Sequence, residues 1–433
     1  MLSNGQGVGR LDGLVVFCFG PLPGERARVR ISEVKPRYAV ARLLRLIAES
    51  PDRAVAFCPV FGSCGGCQLQ HLNYPAQLAW KRNVVRQALA RIGSADDVEV
   101  APAIGMAEPR AYRNKMALVV DRATKPPALG FYRQRSHAVV AIDRCPVVAP
   151  GLDDLLQRLD RARGTPAVEA MLSESRHLVA RSSAAGGEIV LTITSDRRSG
   201  AASAAAAQLL RDVPGLRGVE NSFELPGANA ILGRKRQRLA GSVEIDEVIA
   251  GIRYRIAAGS FFQINTEIVS RIFEILGPRL ARPARVVDLY CGVGTFSLFF
   301  ARHGWSVVGI EEDSRAVAQA RANARLNGLE RYVRFETGRV EHAVASARVA
   351  PALRDASVVF LDPPRKGSDE ATLGAIAHAK PQIWYLSCDA ATLARDSKFL
   401  VAKGYRITAV QPFDMFPQTG HVESLAFFEP TSA

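Results

Sequence analysis

Hydrophobic and polar positions change their rhythm twice along the chain. Up to about residue 50, short apolar runs alternate with polar positions at the two-residue period of half-buried strands. They are Leu14–Phe19, Ala27–Glu33 and Tyr38–Ile47, punctuated by the turn Pro21-Leu-Pro-Gly24. This predicts a small β-barrel over residues 1–50. Residues 51–255 mix strands, among them Lys115–Asp121 and Glu188–Thr194, with a cysteine-bearing loop. An Ala/Ser-rich stretch, Ser199–Leu210, reads there as an exposed helix without a functional signal. From residue 256 to residue 433 strand and helix patterns alternate, the mark of an α/β domain. Strands are predicted at Arg285–Leu289, Ser306–Glu311, Val333–Glu336, Ser357–Asp362, Ile383–Ser387, Arg406–Pro412 and Ser424–Phe428. The clearest helix is Ser314–Asn327, with Ser314 as N-cap and Gly328 just past its end. The last two strands are joined by a loop too short for a crossover helix, so they should pair antiparallel.

Length and charge sharpen this picture. With 433 residues, 48% of them apolar, the chain exceeds one ordinary core, and three domains fit it. The formal charge of +14 is uneven: residues 1–150 carry 21 Lys and Arg against 11 Asp and Glu, and the remainder carries 35 against 31. Such an end suits a polyanionic partner, though a basic surface also serves solubility. No apolar run approaches the roughly 20 residues that span a bilayer. The opening MLSNGQGVGRLDG lacks the layout of a signal peptide, so a cytoplasmic protein without membrane contact is expected. Thiols stay reduced there, which makes the seven cysteines candidates for metal ligation or catalysis.

Three motifs fall at predicted strand ends. Val286-Val-Asp-Leu-Tyr-Cys-Gly-Val-Gly-Thr295 is a strand, a Gly-rich turn and the start of a helix; a second strand ends at Glu311, placed to accept from ribose hydroxyls. No third glycine follows Gly294, which favours a nucleoside cofactor such as S-adenosylmethionine over a dinucleotide. A dehydrogenase or a cofactor-free fold stays open on these features alone. Phe360-Leu-Asp-Pro-Pro-Arg-Lys-Gly367 is a rigid turn able to present Asp362 to cofactor and base, or a purely structural one. Arg365 follows its prolines in place of the aromatic found in amino-group methyltransferases. Cys388, in Trp384-Tyr-Leu-Ser-Cys-Asp389, lies at a strand end before a helix, where the dipole favours a thiolate nucleophile. Phe413-Asp-Met-Phe-Pro-Gln-Thr-Gly-His-Val-Glu-Ser424 offers His421 and Glu423 as acid–base groups. Thiolate, base and methyl donor at one uracil ring would require the base to be flipped out of its helix. Separately, Cys58, Cys64 and Cys67, with Cys145 downstream, form a four-thiolate set fit for zinc or a four-iron cluster. Tyr112-Arg-Asn-Lys115 and Phe131-Tyr-Arg-Gln-Arg135 pair basic and aromatic residues, as single-stranded RNA contacts do.

Over nearly its whole length the chain resembles the bacterial RNA uracil-5-methyltransferases, especially the iron–sulfur branch that modifies 23S ribosomal RNA. Gly259-Ser-Phe-Phe-Gln-Ile-Asn265, Ser387-Cys-Asp389 with Thr392, Arg395 and Asp396, and His421-Val-Glu423 carry the likeness. It implies a Rossmann-like class I methyltransferase domain, an N-terminal barrel of the TRAM or OB type that binds RNA, and a central α+β domain. It also implies cofactor contacts by Gln263, Tyr290, Thr295, Glu311 and Asp362, Cys388 as nucleophile and Glu423 as base. For Cys58, Cys64, Cys67 and Cys145 it implies a [4Fe–4S] cluster. No obligate protein partner is implied, and a monomer is expected. The same chemistry on tRNA, and a non-catalytic RNA-binding iron–sulfur protein, are the competing readings.

Overall fold

A computed structural model describes the chain except residues 3, 94, 96, 226, 228–230, 432 and 433. At the N-terminus, β1 (Gln6–Leu11), β2 (Leu14–Phe19), β3 (Arg26–Val34) and β4 (Tyr38–Ala48) form one sheet in the order β1-β2-β4-β3. Among the described residues β1 and β3 are its unpaired edges, so the expected barrel is an open sheet. Its small core is Val16, Cys18, Ala39 and Ala41.

The central unit is a seven-stranded sheet in the order β11-β10-β9-β8-β5-β6-β7. Its strands are β5 (Lys115–Asp121), β6 (Ala128–Tyr132), β7 (Val139–Ala141), β8 (Ser175–Ser182), β9 (Ile189–Ser195), β10 (Leu216–Phe223) and β11 (Lys235–Gly241). The helix Pro150–Ala162 packs four leucines, Leu152, Leu155, Leu156 and Leu159, into its core. The Ala-rich helix Ala202–Asp212 does the same with Ala202, Ala205, Ala206 and Leu209. It is therefore buried along one face, not exposed as its composition suggests, because small alanines let it lie close to the sheet.

A hairpin of β12 (Glu244–Ile249) and β13 (Ile252–Ala257) straddles the boundary drawn between residues 255 and 256. Its Ile245, Ile249, Ile252, Tyr254 and Ile256 join the core of the C-terminal unit. There β14 (Arg285–Leu289), β15 (Ser306–Glu311), β16 (Val333–Thr337), β17 (Val358–Leu361), β18 (Gln382–Ser387), β19 (Tyr405–Phe413) and β20 (Glu423–Pro430) order as β16-β15-β14-β17-β18-β20-β19. The first five are parallel, and β20 runs antiparallel to both neighbours. Strand order reverses on either side of β14, the switch point at which open α/β sheets hold ligands. Asp313, not Ser314, caps the helix Ser314–Leu326, its carboxylate accepting from Arg315 N at 2.9 Å.

The helix Tyr74–Arg91 belongs to the segment before the central sheet, yet it packs on the C-terminal unit. Val85 and Leu89 enter that unit's core beside Leu393 and Val410. Residues 100–104 then run alongside the edge strand β19 through bridges at Val100–Val410 and Ile104–Phe413. No helix among the described residues is long and apolar enough to cross a membrane.

The buried face of the Ala-rich helix is directly testable. Ala206→Leu should overpack that contact and lower stability by about 1–3 kcal/mol, read as an earlier denaturant midpoint. A helix with this face in water would show no shift.

Candidate active site at the carboxyl edge of the parallel sheet

Parallel strands end on the same side, so the loops after β14, β15, β17 and β18 meet at one edge. After β14 the chain turns sharply, with positive φ at Tyr290 (67°), Gly292 (54°) and Gly294 (87°). For a tyrosine that backbone is strained, a feature concentrated at functional sites. At Gly294 a Cβ would come within 3.3 Å of Phe335 and 3.4 Å of Ala320, so glycine also permits close packing there. Glu311, ending β15, reaches back across the turn. Its Oε2 accepts from Gly292 N at 3.1 Å and its Oε1 from Asp313 N at 2.8 Å.

Gln263, Tyr290, Glu311, Asp362, Cys388 and Glu423 line a single cavity of about 520 Å³. Thr295 does not. It is buried in the first turn of the helix Thr295–Arg302, where its carbonyl accepts from the Tyr254 hydroxyl at 2.9 Å. Gln263 Nε2 donates to Asp362 Oδ2 at 3.2 Å. The stretch carrying Gln263 is fixed from the central unit: Asn114 Nδ2 donates to Gln263 O (3.0 Å) and buried Arg181 to Phe262 O (3.3 Å). Thr392, Arg395 and Asp396 anchor the Asp-Pro-Pro loop. Thr392 Oγ1 donates to Arg365 O (2.9 Å), Arg395 Nη2 to Lys366 O (2.9 Å), and Asp396 Oδ2 accepts from Ser368 N (3.1 Å).

Burial dominates the electrostatics. Asp288 and Asp362 are each pushed up to about 7 by loss of water. Glu423 is driven well above the usual carboxylate range by burial and then by the negative charge of Asp362, with Arg365 opposing. Glu423 Oε1 has no hydrogen-bond partner. Cys388 is raised to about 12, first by burial, then by Glu423 and Asp362. That corrects the expectation of a dipole-favoured thiolate: Asp389 caps the helix Ala390–Ala402 itself, accepting from Thr392 N at 2.9 Å, and two carboxyls face the sulfur. His421 is lowered to about 4 by burial and then by Arg365, whose Nη2 lies 3.2 Å from its Nε2.

Phe261 was not singled out from the sequence. It is 70% exposed and lines the cavity, while its neighbour Phe262 is 1% exposed in the core. The adjacent aromatic pair on an extended segment was the available signal, since successive side chains there face opposite ways.

Cys58, Cys64, Cys67 and Cys145 surround a second cavity of about 70 Å³, with Arg113 and Lys115 also on its wall. Burial raises Cys67 to about 12 and Cys145 to about 11, and Gly66 N donates to Cys64 Sγ at 3.4 Å. None of the seven cysteines is in a disulfide. Among the described residues no three His, Cys, Asp or Glu side chains are set to hold a single metal ion. Of the suggested RNA contacts, Tyr112 and Asn114 are buried, and the Tyr112 hydroxyl donates to Pro417 O at 3.0 Å. Tyr132 and Arg135 lie on the surface, Arg135 bonding Gln6 Oε1 at 2.8 Å.

Residues 73–430 match the family model described as tRNA (Uracil-5-)-methyltransferase, and residues 2–44 match the TRAM domain. The chain belongs to the tRNA (uracil-5-)-methyltransferase family. It is thus an RNA methyltransferase, the enzyme class its motifs pointed to. It is 38% identical over 438 residues to an uncharacterized RNA methyltransferase of Halalkalibacterium halodurans, covering 99% of this chain and 95% of that one. With one of Gloeobacter violaceus it shares 40% over 441 residues, covering 99% and 94%. Its structure resembles that of the Pyrococcus abyssi tRNA (uracil-54, C5)-methyltransferase in complex with S-adenosyl-L-homocysteine. The TM-score is 0.77 at 26% identity, with 98% of each chain covered.

A thiol raised to about 12 is neutral at pH 7.5. Iodoacetamide labelling of Cys388, followed by peptide mass spectrometry, should be slow there and climb about tenfold per pH unit up to at least pH 10. A plateau near pH 7 would contradict this account of the site.

Proposed function

We propose that this enzyme methylates carbon 5 of one uridine in 23S ribosomal RNA, with Cys388 as nucleophile and Glu423 as base. The observation that carries the reading is the convergence of a cysteine, two carboxyls and a nucleoside-sized turn on one cavity. Glu311 is placed for ribose hydroxyls, and Gln263, Tyr290 and Asp362 for the rest of S-adenosylmethionine. The bound cofactor supplies an electrophilic methyl group. Carbon 5 of uracil is too weak a nucleophile to take it unaided. Cys388 Sγ therefore adds to carbon 6, which puts electron density on carbon 5. The thiol must first lose its proton, and the charged member of the Asp362–Glu423 pair is the acceptor beside it. That proton passes to solvent before Glu423 takes the carbon-5 proton of the methylated ring, and the thiolate then leaves. His421, kept neutral and facing Arg365, is less suited to this role than Glu423.

We also assign RNA contact to a basic surface. Arg110, Lys125, Arg144 and Arg163 line a cavity of about 830 Å³, with Phe57 under Arg110 at 4.3 Å. We assign phosphate contact to this surface, stacking of the extruded nucleotide to Phe261, and further RNA contact to the N-terminal sheet. The expected division into residues 1–50, 51–255 and 256–433 then corresponds to an RNA-binding sheet, a cysteine-bearing central unit and the catalytic unit. Four partly buried thiols around a space larger than one ion needs support a [4Fe–4S] cluster on Cys58, Cys64, Cys67 and Cys145, closed and structural. Protein purified without oxygen should then hold about four irons and four sulfides per chain, falling together in Cys67→Ser; zinc in their place would overturn the assignment. We place the enzyme in the cytoplasm, as a monomer.

The likeness to the Pyrococcus tRNA enzyme favours tRNA as the second substrate reading. One experiment addresses both. The protein is mixed with S-adenosylmethionine and 5-fluorouridine transcripts of 23S rRNA fragments or tRNA. Fluorine cannot leave as a cation, so a denaturant-resistant protein–RNA band is expected with the true substrate and none with Cys388→Ala. A cluster-replete protein that traps neither RNA would remove the covalent reading.

A further inference from the structure

The nine residues between β19 and β20 bring Phe416 and, at their end, Glu423 to the cavity, yet residues from outside the catalytic unit hold them in place. Lys81, in the helix Tyr74–Arg91, is wholly buried. It forms an ion pair with Asp414, equally buried, and donates to Phe416 O at 3.1 Å. One turn earlier, Gln77 makes a reciprocal pair with Gln418: Nε2 donates to Gln418 Oε1 (3.0 Å) and Oε1 accepts from Gln418 N (3.2 Å). Gln418 has φ +69°, a strained value for this residue that needs such fixing. Gln68 N and Leu69 N donate to Gln418 O at 2.9 and 3.0 Å. Phe416 lines the cavity and meets the His421 ring edge-on at 5.7 Å.

We propose that Lys81 is a positioning residue for the proton-removal step, holding the 414–422 loop so that Glu423 faces the methylated ring. The proposal rests on the catalytic reading above. A buried lysine–carboxylate pair contributes little to stability compared with an apolar pair of the same volume. It does fix direction, because the ammonium satisfies a side-chain carboxylate and a backbone carbonyl of the same loop at once. Loosening that grip leaves cofactor turn, nucleophile and RNA surface in place. The step that suffers is the last one, when a base must meet a proton on a ring already joined to Cys388.

Lys81→Met keeps the stem and removes both bonds. On ordinary uridine RNA it should lower kcat by about tenfold or more, while the RNA KM and cofactor affinity stay within about twofold of wild type. It should also accumulate the covalent Cys388–RNA adduct, as Glu423→Gln should, since elimination waits for proton removal. A merely structural role would lower cofactor binding, adduct formation and turnover together, and that result, or an unchanged kcat, overturns the proposal. If Lys81→Met lacks the wild-type circular dichroism spectrum, Gln77→Leu is judged by the same readouts. Wild type trapped on 5-fluorouridine RNA serves as reference, so failure of the covalent reading shows separately from failure of this one.

Discussion

Burying a carboxyl group away from water favours its neutral form, and the carboxyl edge of this sheet buries three. Asp288, Asp362 and Glu423 are each held far above the ordinary carboxylate range by loss of water. They cannot all be charged. The surrounding structure supplies just enough compensation to settle them: Ser297 donates to Asp288, Gln263 donates to Asp362, and Arg365 lies near Glu423. Parallel topology makes the crowding unavoidable, because β14 and β17 discharge their acids at the same edge and β20 begins there.

Cys388 inherits that constraint. The residue sits partly buried beside two carboxyls, so its sulfur stays protonated and unreactive until its proton is taken up. Free thiolates are the forms that oxidise and alkylate. Keeping the thiol neutral protects it from both reactions, and the charge of the Asp362–Glu423 pair beside it links its proton to theirs. A cysteine activated in isolation by a helix dipole would lack that link.

Much of the catalytic unit was legible in the sequence. Arg285–Leu289 and Ser306–Glu311 match their strands residue for residue, since a buried parallel strand is a continuous apolar run cut off by turn chemistry. The cavity gathers six of the seven expected non-metal site residues, Gln263 among them from a loop far away in sequence. Failures have physical causes. β1, broken by Gly7 and Gly9, shows too little apolar alternation to read as a strand. The helix Ala202–Asp212 hides its buried face because alanine looks alike in water and in a core. Thr295 belongs to the right motif but is buried in the first turn of its helix and does not line the cavity. The raised thiol pKa was beyond reach, because it depends on Glu423, distant in sequence and adjacent only in the fold.

The same non-local logic explains why the segment before the central sheet departs from it. Residues 58–70 build the wall of the cysteine cavity, and the backbone of Gln68 and Leu69 donates to Gln418, in the loop that leads to Glu423. Tyr112, three residues before a lysine on that same wall, donates to Pro417. The cysteine loop and the base loop are therefore two sides of one hydrogen-bonded contact. A loop rich in glycine, such as Gly62, Gly65 and Gly66, has little stiffness of its own, so a ligand of its four thiols would lend it rigidity. That rigidity would pass across the contact to the backbone of Pro417 and Gln418. A ligand of those thiols would thus affect methylation by fixing the frame in which Glu423 is aimed, without approaching the reacting ring.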